Sequence, residues 1–130
     1  MSLSEFVKSA DWKMEKHVPA IDAPEAVKAG EMFAATVAVG KEMPHPNTSA
    51  HHIAWIALHF APEGAKTSVE IGRAEFSAHG ASADGADNGP AHTASAVTFN
   101  LRIAAPGKLY ATAYCNLHGL WASEKSVAVS

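Results

Sequence analysis

Residues 96–103 constrain the fold most. Val97, Phe99, Leu101 and Ile103 alternate there with Thr98, Asn100 and Arg102, the period-two pattern of a strand with one face buried and one in water. Pro106 and Gly107 mark a turn, and the alternation resumes over residues 108–115, with Leu109, Ala111 and Ala113 on one face and Tyr110, Thr112 and Tyr114 on the other. The two runs are expected to pair as a hairpin. Phe33, Ala35, Val37 and Val39 alternate in the same way, residues 53–60 form a mostly apolar run, and Val127 and Val129 suggest a last strand. Between residues 67 and 79 the apolar parity switches at Gly72 and Arg73, where a β-bulge is expected. Helical periodicity is absent beyond one turn near residues 4–8, residues 81–90 read as a long polar loop, and short strands at this spacing predict an antiparallel β-sandwich.

A sandwich carries its chemistry on loops, and here the loops are rich in metal-binding side chains. The 130-residue chain is read as a single domain, residues 1–130, with eight histidines and one cysteine. A lone cysteine excludes an intrachain disulfide. A formal charge of -3 with scattered Lys and Arg predicts no nucleic-acid partner. No apolar run approaches the roughly 18 residues that cross a bilayer, so no membrane partner is expected. The N-terminus lacks the pattern of a secretory signal, and a cytoplasmic location is expected.

Three clusters stand out. In Cys115-Asn116-Leu117-His118-Gly119 a tight turn can bring thiol and imidazole to one ion. Taken alone, Cys115 reads equally well as a buried core residue and His118 as a surface loop residue. In Pro44-His45-Pro46-Asn47-Thr48-Ser49-Ala50-His51-His52 the two prolines pre-order the backbone around His45. His51 and His52 are expected to open the next strand and point to opposite faces, so that at most one of them joins a common site. Glu15-Lys16-His17-Val18-Pro19 adds three ionisable groups. Imidazoles with one thiolate suit iron, copper or zinc. Five nitrogen and sulfur donors are unusual for zinc. A cupredoxin-like copper electron-transfer protein is the competing reading, but no methionine follows Cys115 to serve as the axial ligand; the methionines are Met1, Met14, Met32 and Met43.

Together with their flanks, Asp11 to Pro19, His45 to Ile53 and Cys115 to Trp121, these clusters resemble the superoxide reductases of the one-iron neelaredoxin class, over nearly the whole span from Asp11 to Trp121. The rubredoxin-like iron module of the two-iron desulfoferrodoxins is absent, since Cys115 is the only cysteine. The resemblance implies an immunoglobulin-like seven-stranded antiparallel β-sandwich. It implies one mononuclear iron, cycling between Fe2+ and Fe3+, held by His17, His45, His51 and His118 with Cys115 as axial thiolate. Glu15 would be the reversible sixth ligand of the ferric state and Lys16 the cation beside the open position. The implied activity is one-electron reduction of superoxide to hydrogen peroxide, with re-reduction by a rubredoxin-like donor, in a homotetramer. His52, His59, His79 and His92 match no ligand position. Backbone N–H groups of Leu117 and His118 are expected to donate to the thiolate.

Overall fold

A computed structural model describes residues 1–130. The chain is almost entirely β, with strands β1 (Ala20–Asp22), β2 (Ala26–Val27), β3 (Phe33–Ala38), β4 (Ile53–Pro62), β5 (Val69–Glu75), β6 (Ala96–Leu101), β7 (Gly107–Cys115) and β8 (Gly119–Val129). They form a three-stranded sheet, β1-β3-β6, and a five-stranded sheet, β2-β8-β7-β4-β5. Seven strands pair antiparallel; β2 adds a two-residue parallel edge to β8. The expected sandwich is therefore present. The only helical element is a 3-10 turn at Leu3–Glu5.

The core is made by the alternation read in the sequence. Val37, Ile56, Leu58, Leu109, Ala111 and Ala113 are sealed from solvent between the sheets. Each large aliphatic side chain buried this way contributes about 1.5–3 kcal/mol. The hairpin expected between residues 96–103 and 108–115 does not form. β6 pairs with β3, whereas β7 is flanked on its two edges by β4 and β8. Both runs bury one face, but the buried faces oppose each other across the core, and the segment between Leu101 and Gly107 crosses from one layer to the other. β7 forms its hairpin with β8 instead, with Cys115 opposite Gly119.

Antiparallel registers gather the functional segments at one end of the sandwich. Ile53, Cys115 and Gly119 lie level in one sheet, and Ala20, Ala38 and Ala96 in the other. Two irregularities shape β4. Opposite β7 the pairing steps from Ile53 to Trp55, leaving Ala54 extra at the end near Cys115. Opposite β5 the pairing steps from Gly72 to Glu70, leaving Ile71 extra. The bulge therefore sits one residue before the expected Gly72. It lets both Ile71 and Ala74 pack on the core, which is the parity switch seen in the sequence.

Candidate metal centre

The turn between β7 and β8 begins with Cys115, which is only 1% exposed. Gly119 closes it at φ 83, a conformation that glycine adopts without penalty. Asn116 ties this turn to the neighbouring loop. Its Oδ1 accepts the His52 backbone N–H at 2.8 Å, its Nδ2 donates to the Ala50 carbonyl at 2.9 Å, and its own N–H donates to the His52 carbonyl at 3.1 Å. Trp121 Nε1 donates to the His118 carbonyl at 3.2 Å. Asn116→Ala removes two of these bonds, an expected loss of about 1–2 kcal/mol in unfolding free energy, measurable by urea titration.

The loop after β3 presents His45 and His51. Its entry needs glycine at position 40, because a Cβ there would stand 2.8 Å from the His45 nitrogen. Thr48 and His51 close a local turn through Thr48 N–H to the His51 carbonyl at 2.9 Å and His51 N–H to Thr48 Oγ1 at 3.0 Å. Asp87 holds the loop from outside by accepting the Ser49 N–H at 2.7 Å. His45 Nδ1–H donates to the Pro46 carbonyl at 2.6 Å, so Nε2 carries the free lone pair. In the turn-rich segment leading into β1, Glu15 Oε1 accepts both the His17 N–H at 2.9 Å and His17 Nδ1–H at 2.6 Å. His17 too is left with its lone pair on Nε2, in the carboxylate–histidine pairing common behind metal ligands.

These lone pairs converge. Ligand atoms of His17, His45, His51 and Cys115 lie within 4.8 Å of one another. His118 falls outside that tight group but touches it, with Nδ1 3.2 Å from His17 Nε2 and 3.7 Å from Cys115 Sγ. In the order His17, His45, His51, His118, neighbouring ring centroids are 4.9, 4.7, 4.9 and 4.9 Å apart with interplanar angles of 73°, 78°, 64° and 70°. The His17–His51 diagonal is 6.3 Å. The four imidazoles thus make a nearly square pinwheel. Two nitrogens bound at right angles, each about 2.1 Å from an ion, would stand about 3.0 Å apart, close to the 3.2 Å separation of His17 and His118. His45 Nε2 and His51 Nε2 are buried without any hydrogen-bond partner. Such orphaned acceptors are costly unless something fills the space between them, and a cation does so.

The electrostatics agree. Burial holds the His45 imidazole down from 6.5 to about 4, with the Pro46 carbonyl opposing and His17, His51 and Lys16 adding repulsion. Burial likewise lowers His51, helped by His118 and Lys16. Both rings are therefore neutral and free to coordinate at neutral pH. The half-buried Lys16 sits close enough to act on both and makes no ion pair of its own. For Glu15, burial would raise the carboxyl, but the hydrogen bonds from His17 outweigh it and the net shift is downward. A protonation test follows for the metal-free protein. His45 has a lower pKa folded than unfolded, so the unfolded chain binds the extra proton between pH 6.5 and about 4. Stability is full above that window and lost as pH falls through it. Thermal melts across it should show the loss, and His45→Gln should weaken the slope.

Glu15 carries its carboxylate on His17 Nδ1. Cys115 Sγ has His118 Nδ1 as its hydrogen-bond partner, at 3.7 Å. His51 and His52 precede β4 but do face apart: His51 joins the pinwheel, while His52 stacks on His79. Sequence reasoning missed Asn47, Asn116 and Trp121. The last lies parallel to His17 at 4.9 Å and 13°, with Lys8 Nζ 5.7 Å from its ring. The positions of Asn47 and Asn116 inside the two histidine-bearing motifs were the available signal.

Comparison with known proteins gives a consistent result. The family model described as Desulfoferrodoxin matches residues 9–124. The chain is 52% identical to neelaredoxin from Megalodesulfovibrio gigas over 99% of both chains. It is 48% identical to superoxide reductase from Pyrococcus furiosus, over 94% of this chain and 96% of the relative. The solved superoxide reductase (neelaredoxin) from Archaeoglobus fulgidus in the reduced form superposes with a TM-score of 0.87 at 48% identity, covering 95% of this chain and 98% of the other.

Proposed function

Since the chain belongs to the desulfoferrodoxin family, we propose that it is a superoxide reductase, reducing superoxide to hydrogen peroxide by one electron at a single mononuclear iron. The observation that carries this reading is the square of four imidazoles with a thiol beside it. His17, His45 and His51 would bind through Nε2, His118 through Nδ1 and Cys115 through Sγ. Iron held by these residues would supply the electron that superoxide takes up. A cupredoxin-like copper site uses two histidines, one cysteine and a weak axial ligand; two further imidazoles in the same ring disfavour it.

The protein's own groups then have separable tasks. Glu15 fixes the His17 tautomer and, to act as a reversible sixth ligand, would have to leave His17 Nδ1. Trp121 backs the His17 ring and holds the His118 carbonyl. Lys16 draws in the anion. At about 6 Å and an effective dielectric of roughly 20–60, one charge is worth about 1–3 kcal/mol, reduced by salt. Lys16→Ala should therefore slow the bimolecular step about tenfold, flatten its ionic-strength dependence and leave iron content unchanged. Pulse radiolysis across a salt series reads all three.

The chain would work as one domain spanning residues 1–130, in the cytoplasm, as a homotetramer re-reduced by a rubredoxin-like donor. No helix is long and apolar enough to cross a membrane. The deciding experiment is metal analysis with a visible spectrum in both oxidation states, followed by peroxide yield from superoxide with a reduced donor. One iron per chain and one peroxide per superoxide are expected. Copper in place of iron, or half a peroxide per superoxide, would overturn the reading.

A further inference from the structure

His17 is gripped from two sides. An imidazole turns over a broad range about its Cβ–Cγ bond, so a ring that must keep one nitrogen aimed at a point needs something outside it to stop the turn. At the edge of the His17 ring, Glu15 Oε1 accepts Nδ1–H at 2.6 Å. Against its face lies the Trp121 indole, centroids 4.9 Å apart and planes within 13°. The two holds differ in permanence. The Glu15 side chain is 30% exposed, so its bond can open to water. Trp121 is 9% exposed and fixed on every side. Its backbone pairs with Ala113 across β7. On the other edge of β8, Lys8 donates its N–H to the Leu120 carbonyl at 3.0 Å and accepts the Ala122 N–H at 2.8 Å. The indole Nε1 donates to the His118 carbonyl at 3.2 Å. Two residues along the same strand, Ser123 Oγ donates to the Pro19 carbonyl, which fastens the segment carrying His17 to the strand that presents the indole.

We propose that Trp121 is a positioning residue for the metal centre: its indole face stops the His17 ring from turning while Glu15 is detached, so that Nε2 stays aimed at the other donors. The carboxylate at the edge and the indole on the face then back each other up. Loss of either leaves the ring stopped by the other, and loss of both sets it free. The bond from the indole N–H to the His118 carbonyl is a separate contact, made by a different part of the same side chain, and a phenylalanine distinguishes the two because it offers a face without a donor.

The inference rests on the iron reading above. Its test is a double-mutant cycle on the rate of iron loss from the loaded protein to excess EDTA, after iron per chain has been measured. Glu15→Ala and Trp121→Leu should each quicken the loss only about threefold, because one hold remains. Independent effects would multiply to about ninefold; the double variant should instead lose iron about fiftyfold faster, the excess expected of two side chains that act on one group. Trp121→Phe keeps an aromatic face for His17, so combining it with Glu15→Ala should give no more than the product of the single effects. Trp55→Leu supplies the control for lost packing. The ring partners of Trp55 are Tyr114 at 6.0 Å and Arg73 at 4.9 Å, and its combination with Glu15→Ala should likewise multiply without excess. A merely product-sized effect in the Glu15→Ala, Trp121→Leu pair, or the same excess with Trp121→Phe or with Trp55→Leu, would overturn the proposal while leaving the iron centre standing. Wild type without iron would sink both.

Discussion

Cys115→Ser should strip the iron-loaded protein of its visible thiolate-to-metal absorption and cut superoxide turnover by roughly a hundredfold or more. Cys115 is the only sulfur that reaches the imidazole ring, with Sγ 3.7 Å from His118 Nδ1. Bound iron would receive electron density from a Cys115 thiolate, as in thiolate-ligated haem enzymes; a serine hydroxyl neither ionises at neutral pH nor donates comparably. The substitution also places a hydroxyl in the apolar cluster that Cys115 shares with Ile53 and Ala113, a cost of about 1–3 kcal/mol. Circular dichroism of the metal-free variant therefore belongs in the experiment. Folded protein with no band is the expected result. A persisting band would remove Cys115 from the ligand set.

The second large effect separates adjacent residues. His51→Ala should lower iron affinity about a hundredfold, while His52→Ala should lower it less than tenfold. The first estimate divides the roughly 10–16 kcal/mol that a multidentate site gains from its ion among its ligands, leaving about 3 kcal/mol for one. The contrast follows from geometry. His51 Nε2 is buried and unpartnered, with its ring 4.7 Å from His45 and 4.9 Å from His118. His52 turns away, donates to Thr48 and stacks on His79. Iron content after dialysis against a graded chelator series measures both variants. Equal losses, or the reverse order, would reassign the ligand.

Much of this was legible in the chain. The strands carrying Val37 and Leu109 announce themselves because each buries one face, and burial writes a period of two into sequence; the strand carrying Leu58 buries consecutive residues and shows instead as an apolar run. The pairing of β6 was not legible, because alternation records which face is inside but not which strand lies alongside. β1 escaped notice: its three residues sit between Pro19 and Pro24, too short for any period. At the centre, residue types and spacing offered candidate donors, whereas the full set, and the choice of His51 over His52, came from the family resemblance. The side chains that steady the donors, Asn47, Asn116, His79 and Trp121, act in several cases through contacts distant in sequence, such as Asn47 with His79 at a separation of 32 and Asn116 with His52 at 64. No local pattern encodes such pairs.

The distribution of the five proposed donors along the chain governs when the centre can be assembled. They stand at positions 17, 45, 51, 115 and 118 of 130, and Cys115 and His118 belong to the last hairpin. A nascent chain that has made β1 through β6 owns three of the imidazoles and no thiol, and the sheet that would hold them level lacks two of its partners, β7 and β8. Iron capture must then follow synthesis of nearly the entire polypeptide. The loaded metal becomes a certificate of completed folding, and a chain that stalls or is clipped before Cys115 carries no thiolate with which to do redox chemistry.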